Sequence, residues 1–273
     1  MSGDGVASPS PSSPGLLRGR RILLTRPQPE LDETAQRVAA LGGIPLLAPA
    51  MVIAPPQEEA PLRHGLQTLA DWDGILFTSV NAVRAVERFP LPDVKPLAYA
   101  VGGKTAQSLE AAGWRTAPLP PGVRDGASLA EAMIAAGGKQ GVAGRRYFFP
   151  RAEEGREELA ERLRQAGAKV ELVIAYRAVA SHAIPEEAAA RLCAGEVDGA
   201  LFFSPRTVAL FLALLTPPMR QGLARAVLGA LSSAVAAALA GGGFPGAVVP
   251  DRPEAEALLD RVGVRLLEGS AVE

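Results

Sequence analysis

The sequence predicts an α/β protein of two similar lobes with parallel sheets flanked by helices, joined by a two-stranded β connector. Three observations lead there. Short β-type runs alternate with helical patterns from Arg21 onward, the pattern of mostly parallel sheets covered by helices. Several of these runs are continuously apolar over four to six residues, as strands buried on both faces require. The chain also repeats itself at a nearly constant spacing, which implies two copies of one supersecondary unit.

In chain order the strand candidates are Ile22–Thr25, Pro45–Ile53, Gly74–Ser79, Ala98–Gly102, Arg146–Pro150, Val170–Val179, Ala200–Ser204, Ala226–Gly229 and Ala247–Val249. Helical patterns lie between them, among them Leu31–Leu41, Arg156–Ala166 and Pro253–Leu267. Arg21-Ile-Leu-Leu-Thr-Arg26 matches Arg146-Tyr-Phe-Phe-Pro-Arg151 at an offset of 125, and Gly42 matches Gly167. Asp73-Gly-Ile-Leu-Phe-Thr-Ser79 meets Asp198-Gly-Ala-Leu-Phe-Phe-Ser204 at the same offset, and Gly102–Thr105 meets Gly229–Ser232 at 127. Two similar lobes follow, and two lobes imply a cleft. Pro45–Ile53 and Val170–Val179 are the longest β-type runs. They are long enough to leave one lobe, enter the other and pair as a connector.

Composition narrows the function. The 273 residues carry 28 Lys+Arg against 29 Asp+Glu, a net charge of −1, without the basic excess that nucleic-acid binding shows. Cys193 is the single cysteine and His64 and His182 are the two histidines, so neither an intramolecular disulfide nor a His/Cys zinc site is expected. Met1–Gly15 is rich in Ser, Pro and Gly and lacks an apolar signal run, which makes residues 1–18 a disordered tail. The longest apolar stretch, Ala224–Ala240, is broken by Arg225, Gly229, Ser232 and Ser233, unlike a membrane span. A cytoplasmic monomer without membrane or nucleic-acid partners is expected.

The candidate chemistry lies where strands give way to helices. Ser79, in Phe77-Thr78-Ser79-Val80-Asn81-Ala82-Val83, suits an N-cap whose turn leaves backbone N–H groups for an anion. Ser204 repeats it before Pro205 and Arg206. A cation at a helix N-terminus does not stabilise the helix, so Arg206 points to an anionic ligand. Gly102-Gly103-Lys104-Thr105 resembles the end of a P-loop, but the required earlier glycine is Ala98, which argues against ATP binding. It reads instead as a third turn for an anion, or as a plain tight turn with a surface lysine. Arg26 and Arg151 end the first strand of each repeat and suit either a carboxylate ligand or a solvated surface. Tyr176 lies in the connector run, where the pattern alone favours packing over a cleft-facing proton donor. No nucleophile–base pair stands out, and Cys193 reads as packing.

Leu-Leu-Thr-Arg-Pro (23–27), Phe-Thr-Ser-Val-Asn-Ala-Val (77–83), Val-Gly-Gly-Lys-Thr-Ala (101–106), Ala-Tyr-Arg (175–177) and Phe-Phe-Ser-Pro-Arg-Thr-Val (202–208) together resemble the uroporphyrinogen-III synthase family. The resemblance runs from about Arg21 to Leu267. It implies one lobe from 19–50 plus 180–268, a second from 55–175, and a connector of 51–54 and 176–179. It implies a cofactor-free lyase that cyclises hydroxymethylbilane to uroporphyrinogen III, with loss of water and inversion of the last pyrrole ring. The partner would be a linear tetrapyrrole polycarboxylate. The family's binding positions map onto Thr78, Ser79, Thr105, Ser204, Ser232 and Ser233, and its proposed proton donor onto Tyr176. Arg26, Asn81, Lys104, Arg151 and Arg206 complete the expected set. Asn81 stands where relatives can carry arginine. The family's Gly-Pro-Thr-Thr-Ala turn becomes Gly229-Ala-Leu-Ser-Ser-Ala234, leaving open which serine takes which role. The rival reading is a non-enzymatic two-lobe binding protein for a small anionic ligand.

Overall fold

The computed structural model of the chain describes residues 15–270 except residues 29, 121 and 138–140. The strands are β1 (Arg21–Leu24), β2 (Ile44–Leu47), β3 (Met51–Ala54), β4 (Gly74–Phe77), β5 (Leu97–Ala100), β6 (Arg146–Ala152), β7 (Lys169–Ala180), β8 (Gly199–Phe202) and β9 (Val227–Ala230). The helices are α1 (Glu30–Ala40), α2 (Ala60–Gln67), α3 (Val80–Glu87), α4 (Gly103–Ala111), α5 (Gly126–Ala136), α6 (Glu158–Gln165), α7 (Glu186–Ala194), α8 (Pro205–Ala213), α9 (Pro217–Leu223), α10 (Ser233–Gly241) and α11 (Ala255–Ser270). None is long and apolar enough to cross a membrane.

Two compact units result, one running up to Val52 and again from Val179, the other spanning Ile53–Ala178. The first holds a sheet of order β2-β1-β8-β9; the five-stranded sheet has the order β3-β7-β6-β4-β5. The pairings β1–β2, β1–β8, β8–β9, β4–β5, β4–β6 and β6–β7 are all parallel. Apolar clusters cover both faces of each sheet. In β1, Leu23 joins one cluster while Ile22 and Leu24 join another. In β6, Phe148 joins one while Tyr147 and Phe149 join another. Burial on both faces explains why these strands are apolar throughout rather than alternating.

The repeat is visible in the topology, in an exchanged form. β1, β2 and β4 recur as β6, β7 and β8 at an offset of 125, and β5 recurs as β9 at 130. The order β2-β1-β8-β9 thus has the same layout as β7-β6-β4-β5. Each sheet combines the first half of one repeat with the second half of the other. Twin carboxylates fasten the exchanged halves. Asp73 Oδ2 accepts the Arg146 N–H at 2.8 Å, and the Asp73 N–H donates to the Arg146 carbonyl at 2.9 Å. Asp198 Oδ2 likewise accepts from the Arg21 N–H at 2.8 Å, its N–H donates to the Arg21 carbonyl at 3.0 Å, and its Oδ1 pairs with Arg20.

Four expectations need correction. Residues 1–14 lie outside the described residues, but Leu16 and Leu17, assigned by sequence to the tail, are buried. Leu17 N–H donates to the Leu41 carbonyl, and Leu16 packs where α11 offers Gly263 instead of a larger side chain. The run Pro45–Ile53 is two strands, because Pro49 has no N–H to continue a ladder. β7 is unbroken over 12 residues, and β3 lies beside it. Gly229 lies in strand β9, as the candidate Ala226–Gly229 had it, and its match to the turn glycine Gly102 fails: a Cβ there would come within 2.6 Å of Val262 in α11. Close helix–strand packing, not ligand approach, requires that glycine. The repeat offset of 127 based on it is therefore superseded by 130. Finally, Ala247–Val249 forms only an isolated bridge from Val248 to Gly229.

Asp198→Ala is expected to lower the unfolding free energy by about 2 kcal/mol, the usual worth of a charge-assisted hydrogen bond with a partner left behind. Asp198→Asn keeps an acceptor and should recover part of the loss. Urea denaturation of the three proteins checks this ordering.

Candidate active site

In both sheets the chain reverses its winding between two central parallel strands: between β1 and β8 in one, and between β6 and β4 in the other. Such switch points open a crevice at the carboxyl ends of the strands. The predicted residues fall at these ends, because each strand's last residue leads into a helix N-terminus.

In the second unit β4 leads through Thr78 to Ser79, the N-cap of α3, with extended backbone at φ −160°. Ser79 Oγ accepts from the Ala82 N–H at 3.1 Å and lies 2.9 Å from Tyr176 Oη. The cap consumes one lone pair and leaves the serine proton free to donate to the tyrosine. A bulge in β7 makes the meeting possible. Arg151 pairs with Ile174 but Ala152 pairs with Tyr176, so Ala175 is an extra residue. Strict alternation would send Ala175 and Tyr176 to opposite faces. The bulge instead lets both pack on the apolar cluster beneath α3. The Tyr176 carbonyl, accepting from the Glu153 N–H at 3.0 Å, holds the backbone there.

β5 leads to α4 through Gly102, whose φ of +76° suits glycine alone. The Val101 N–H donates to the Phe77 carbonyl, which ties this turn to the end of β4. Lys104 is exposed in the first turn of α4. Thr105 is 5% exposed, and its hydroxyl has no hydrogen-bond partner among the described residues. Asn81 sits half-buried in the first turn of α3. Arg151 is a different matter. Nη1 donates to the Gly155 carbonyl at 2.8 Å and pairs with Glu157 at 3.2 Å, and Nη2 reaches the Glu153 carbonyl. Its side chain organises the loop after β6, and we withdraw it from the ligand set.

In the first unit β1 ends at Thr25, which is buried and donates to the Leu201 carbonyl at 2.8 Å, joining the two strands that flank the switch point. Arg26 follows, with its guanidinium 4.3 Å above the Phe203 ring and Nη1 3.5 Å from Thr34 Oγ1. Desolvation lowers its pKa, against the opposing pull of Glu30 and Glu33, and it forms no ion pair among the described residues. A cation pre-oriented on an aromatic face is well disposed toward a carboxylate. Ser204 caps α8, accepting from the Thr207 N–H at 3.1 Å, with the Thr207 hydroxyl 2.7 Å away. Pro205 occupies the first helical position and Arg206 the exposed second. Ser232 is the N-cap of α10 and Ser233 its first residue, which settles their structural register. Neither hydroxyl has a partner among the described residues, and Ser232 makes no capping bond. Sequence reading missed Thr25, Thr207 and Phe203, since a threonine or phenylalanine beside a strand end carries no distinguishing pattern.

Comparison with known proteins decides the family. The family model described as "HEM4: Uroporphyrinogen-III synthase HemD" matches residues 32–260. The chain belongs to the uroporphyrinogen-III synthase family. A uroporphyrinogen-III synthase of Synechococcus elongatus is 34% identical over 206 residues, covering 73% of this chain and 76% of the relative. That of Escherichia coli is 28% identical over 185 residues, covering 64% and 72%. The crystal structure of uroporphyrinogen-III synthetase from Helicobacter pylori 26695 matches with a TM-score of 0.51 at 18% identity, covering 92% of this chain and 99% of that one; it supports the fold. Family membership makes the chain a cyclising lyase rather than a passive binding protein.

The hydrogen bonds separate structural serines from free ones. Ser79→Ala and Ser204→Ala each remove an N-cap and should cost about 1 kcal/mol. Ser232→Ala removes a hydroxyl without a partner and should stay within about 0.5 kcal/mol of the parent. Thermal unfolding of the three variants measures the contrast.

Proposed function

We propose that this chain converts hydroxymethylbilane to uroporphyrinogen III without a cofactor, working as a cytoplasmic monomer. The observation that carries the proposal is the pair Tyr176 Oη–Ser79 Oγ, 2.9 Å apart at the end of β4. Tyr176 donates its proton to the substrate's hydroxymethyl oxygen, which departs as water. As the phenol oxygen gains charge, the Ser79 hydroxyl donates to it, and the Ala82 amide supports that serine. The carbon left behind is an electrophile conjugated with an electron-rich pyrrole. Ring closure then depends chiefly on where the rings are held, and orientation supplies much of the rate. Inversion of the last ring follows if its substituted carbon attacks first, the bond from that carbon to its original methylene then breaks to give a second electrophile, and this methylene closes on the ring's free carbon, whose lost proton balances the one donated.

The substrate's carboxylates are taken, in this proposal, by groups that the fold places at the strand ends. These are Arg26 on Phe203, the first turns of α3 and α4 with Thr78, Asn81, Lys104 and Thr105, and the turns at Ser204–Arg206 and Ser232–Ser233. Free N–H groups at helix starts accept such anions without a full counter-charge. The arrangement fits a flexible polyacid, which needs many modest contacts rather than one deep pocket.

The decisive experiment supplies freshly prepared hydroxymethylbilane and separates the isomers of the product. Enrichment of the type III isomer over the spontaneous type I supports the proposal; a product mixture equal to the uncatalysed one rejects it. Tyr176→Phe should reduce kcat about 10²-fold, the lower range for loss of a general acid, with KM little changed. Arg26→Ala should raise KM about tenfold through loss of one charge-assisted contact and leave kcat nearly intact. Steady-state kinetics on both variants distinguishes the roles.

A further inference from the structure

At the opposite, amino-terminal edge of the five-stranded sheet lies a groove of about 540 Å³ lined by Trp72, Arg146, Arg164, Lys169, Val170, Glu171 and Leu172. Arg146 and Lys169 are register partners on the neighbouring strands β6 and β7, so two like charges stand side by side, an arrangement that costs stability. The Arg146 guanidinium is held 4.6 Å above the Trp72 ring, and Arg164 is anchored through Nη2 to the Val170 carbonyl. None of the three cations forms an ion pair among the described residues. The nearby carboxylates do not relieve them: Asp73 is bound to the Arg146 main-chain N–H, and Glu171 pairs with no cation. Trp72 is 8% exposed, and its Nε1 is buried without an acceptor.

The duplicated scaffold provides an internal control. At the offset of 125, the positions of Trp72, Arg164 and Lys169 are held in the other unit by Val197, Ala39 and Ile44. Arg146 corresponds to Arg21, which there has Glu196 at 3.8 Å. The same architecture therefore folds without the tryptophan, without the second and third cations, and with the remaining arginine neutralised. The charge cluster is not a requirement of the fold.

We propose that this groove is a second anion site, separate from the strand-end residues assigned to the tetrapyrrole, and that it takes a small phosphate-type oxyanion. Two oriented guanidinium groups and an exposed ammonium provide forked and point-charge donors suited to phosphate oxygens, while the single carboxylate Glu171 leaves a net positive lining. The site lies on Trp72, so its occupancy changes the surroundings of one of the two indoles in the chain.

The test is a fluorescence titration with inorganic phosphate and with pyrophosphate, ionic strength being held constant with sodium chloride. It is run on the parent and on Trp114→Phe, in which Trp72 is the remaining indole. A saturable change is expected, with pyrophosphate binding more tightly. Lys169→Ile, which installs the residue of the sister position, should weaken binding at least tenfold while leaving turnover of hydroxymethylbilane unchanged; Lys169→Ala repeats the test with a smaller side chain. Arg26→Ala should leave the titration unaltered. Overturning results are a response matched by chloride alone, affinity equal to the parent's in both Lys169 variants, or loss of the response in Arg26→Ala, which would place the anion among the strand-end residues instead. Because the titration involves no turnover, its outcome is independent of the proposed reaction.

Discussion

Two carboxylates hold together what the sequence order separates. Asp73 and Asp198 each precede a central strand and bind, through side chain and main chain, the first residue of the strand beside it from the other repeat. A parallel pair cannot be closed by a tight hairpin, so its register must be set by something other than a turn. These pairs set it at the amino-terminal edge. The register then fixes which residues lie together at the carboxyl ends, where Arg26 meets Phe203 and Thr25 reaches Leu201.

The bulge at Ala175 breaks the symmetry of the duplication. The two repeats supply equivalent strands, yet the sister of β7 is interrupted at Pro49, and the position corresponding to Tyr176 is Met51 in β3. One repeat thus breaks and the other bulges at nearly the same point. The unbroken strand carries a phenol to the last rung of its ladder with β6 and rotates it onto the face that holds the cap of α3. The cap at Ser204 has no phenol; its second partner is Thr207, a residue of the same helix. A hydroxyl paired within one turn serves the helix. A hydroxyl paired across 97 residues is placed by tertiary structure, and such a pair can be oriented for a reaction.

Much of this was legible in the sequence. Continuous apolar runs located β1, β4, β6 and β8 because burial on both faces leaves no alternation to misread. Ser79 and Ser204 were legible as caps because a small hydroxyl residue after a strand and before an apolar helical pattern has few other uses. Three features were not. The Ala175 bulge has no local signature, since an extra alanine in a run of β-formers looks like the run itself. Arg151 resembled Arg26 in position, but carbonyls of its own loop, invisible in sequence, consume its donors. Gly229, read both as a strand end and as the sister of the turn glycine Gly102, owes its place to α11, some thirty residues further along the chain.

The contrast between Arg26 and Arg151 also limits what a duplicated scaffold can be expected to share. Their main-chain positions are equivalent, yet one guanidinium lies on an aromatic ring without an ion pair among the described residues and the other closes a loop. The difference comes from their neighbours: Phe203 stands where the first repeat has Thr78, and Glu157 where it has Asp32. Backbone architecture is therefore the conservative part of the duplication, kept by strand register and glycine contacts. Charge is the labile part, reassigned wherever a single neighbour changes. A polyacid substrate suits such a protein, because helix N-termini and capping turns, which belong to the backbone, persist in both units while each side-chain cation is free to acquire another role.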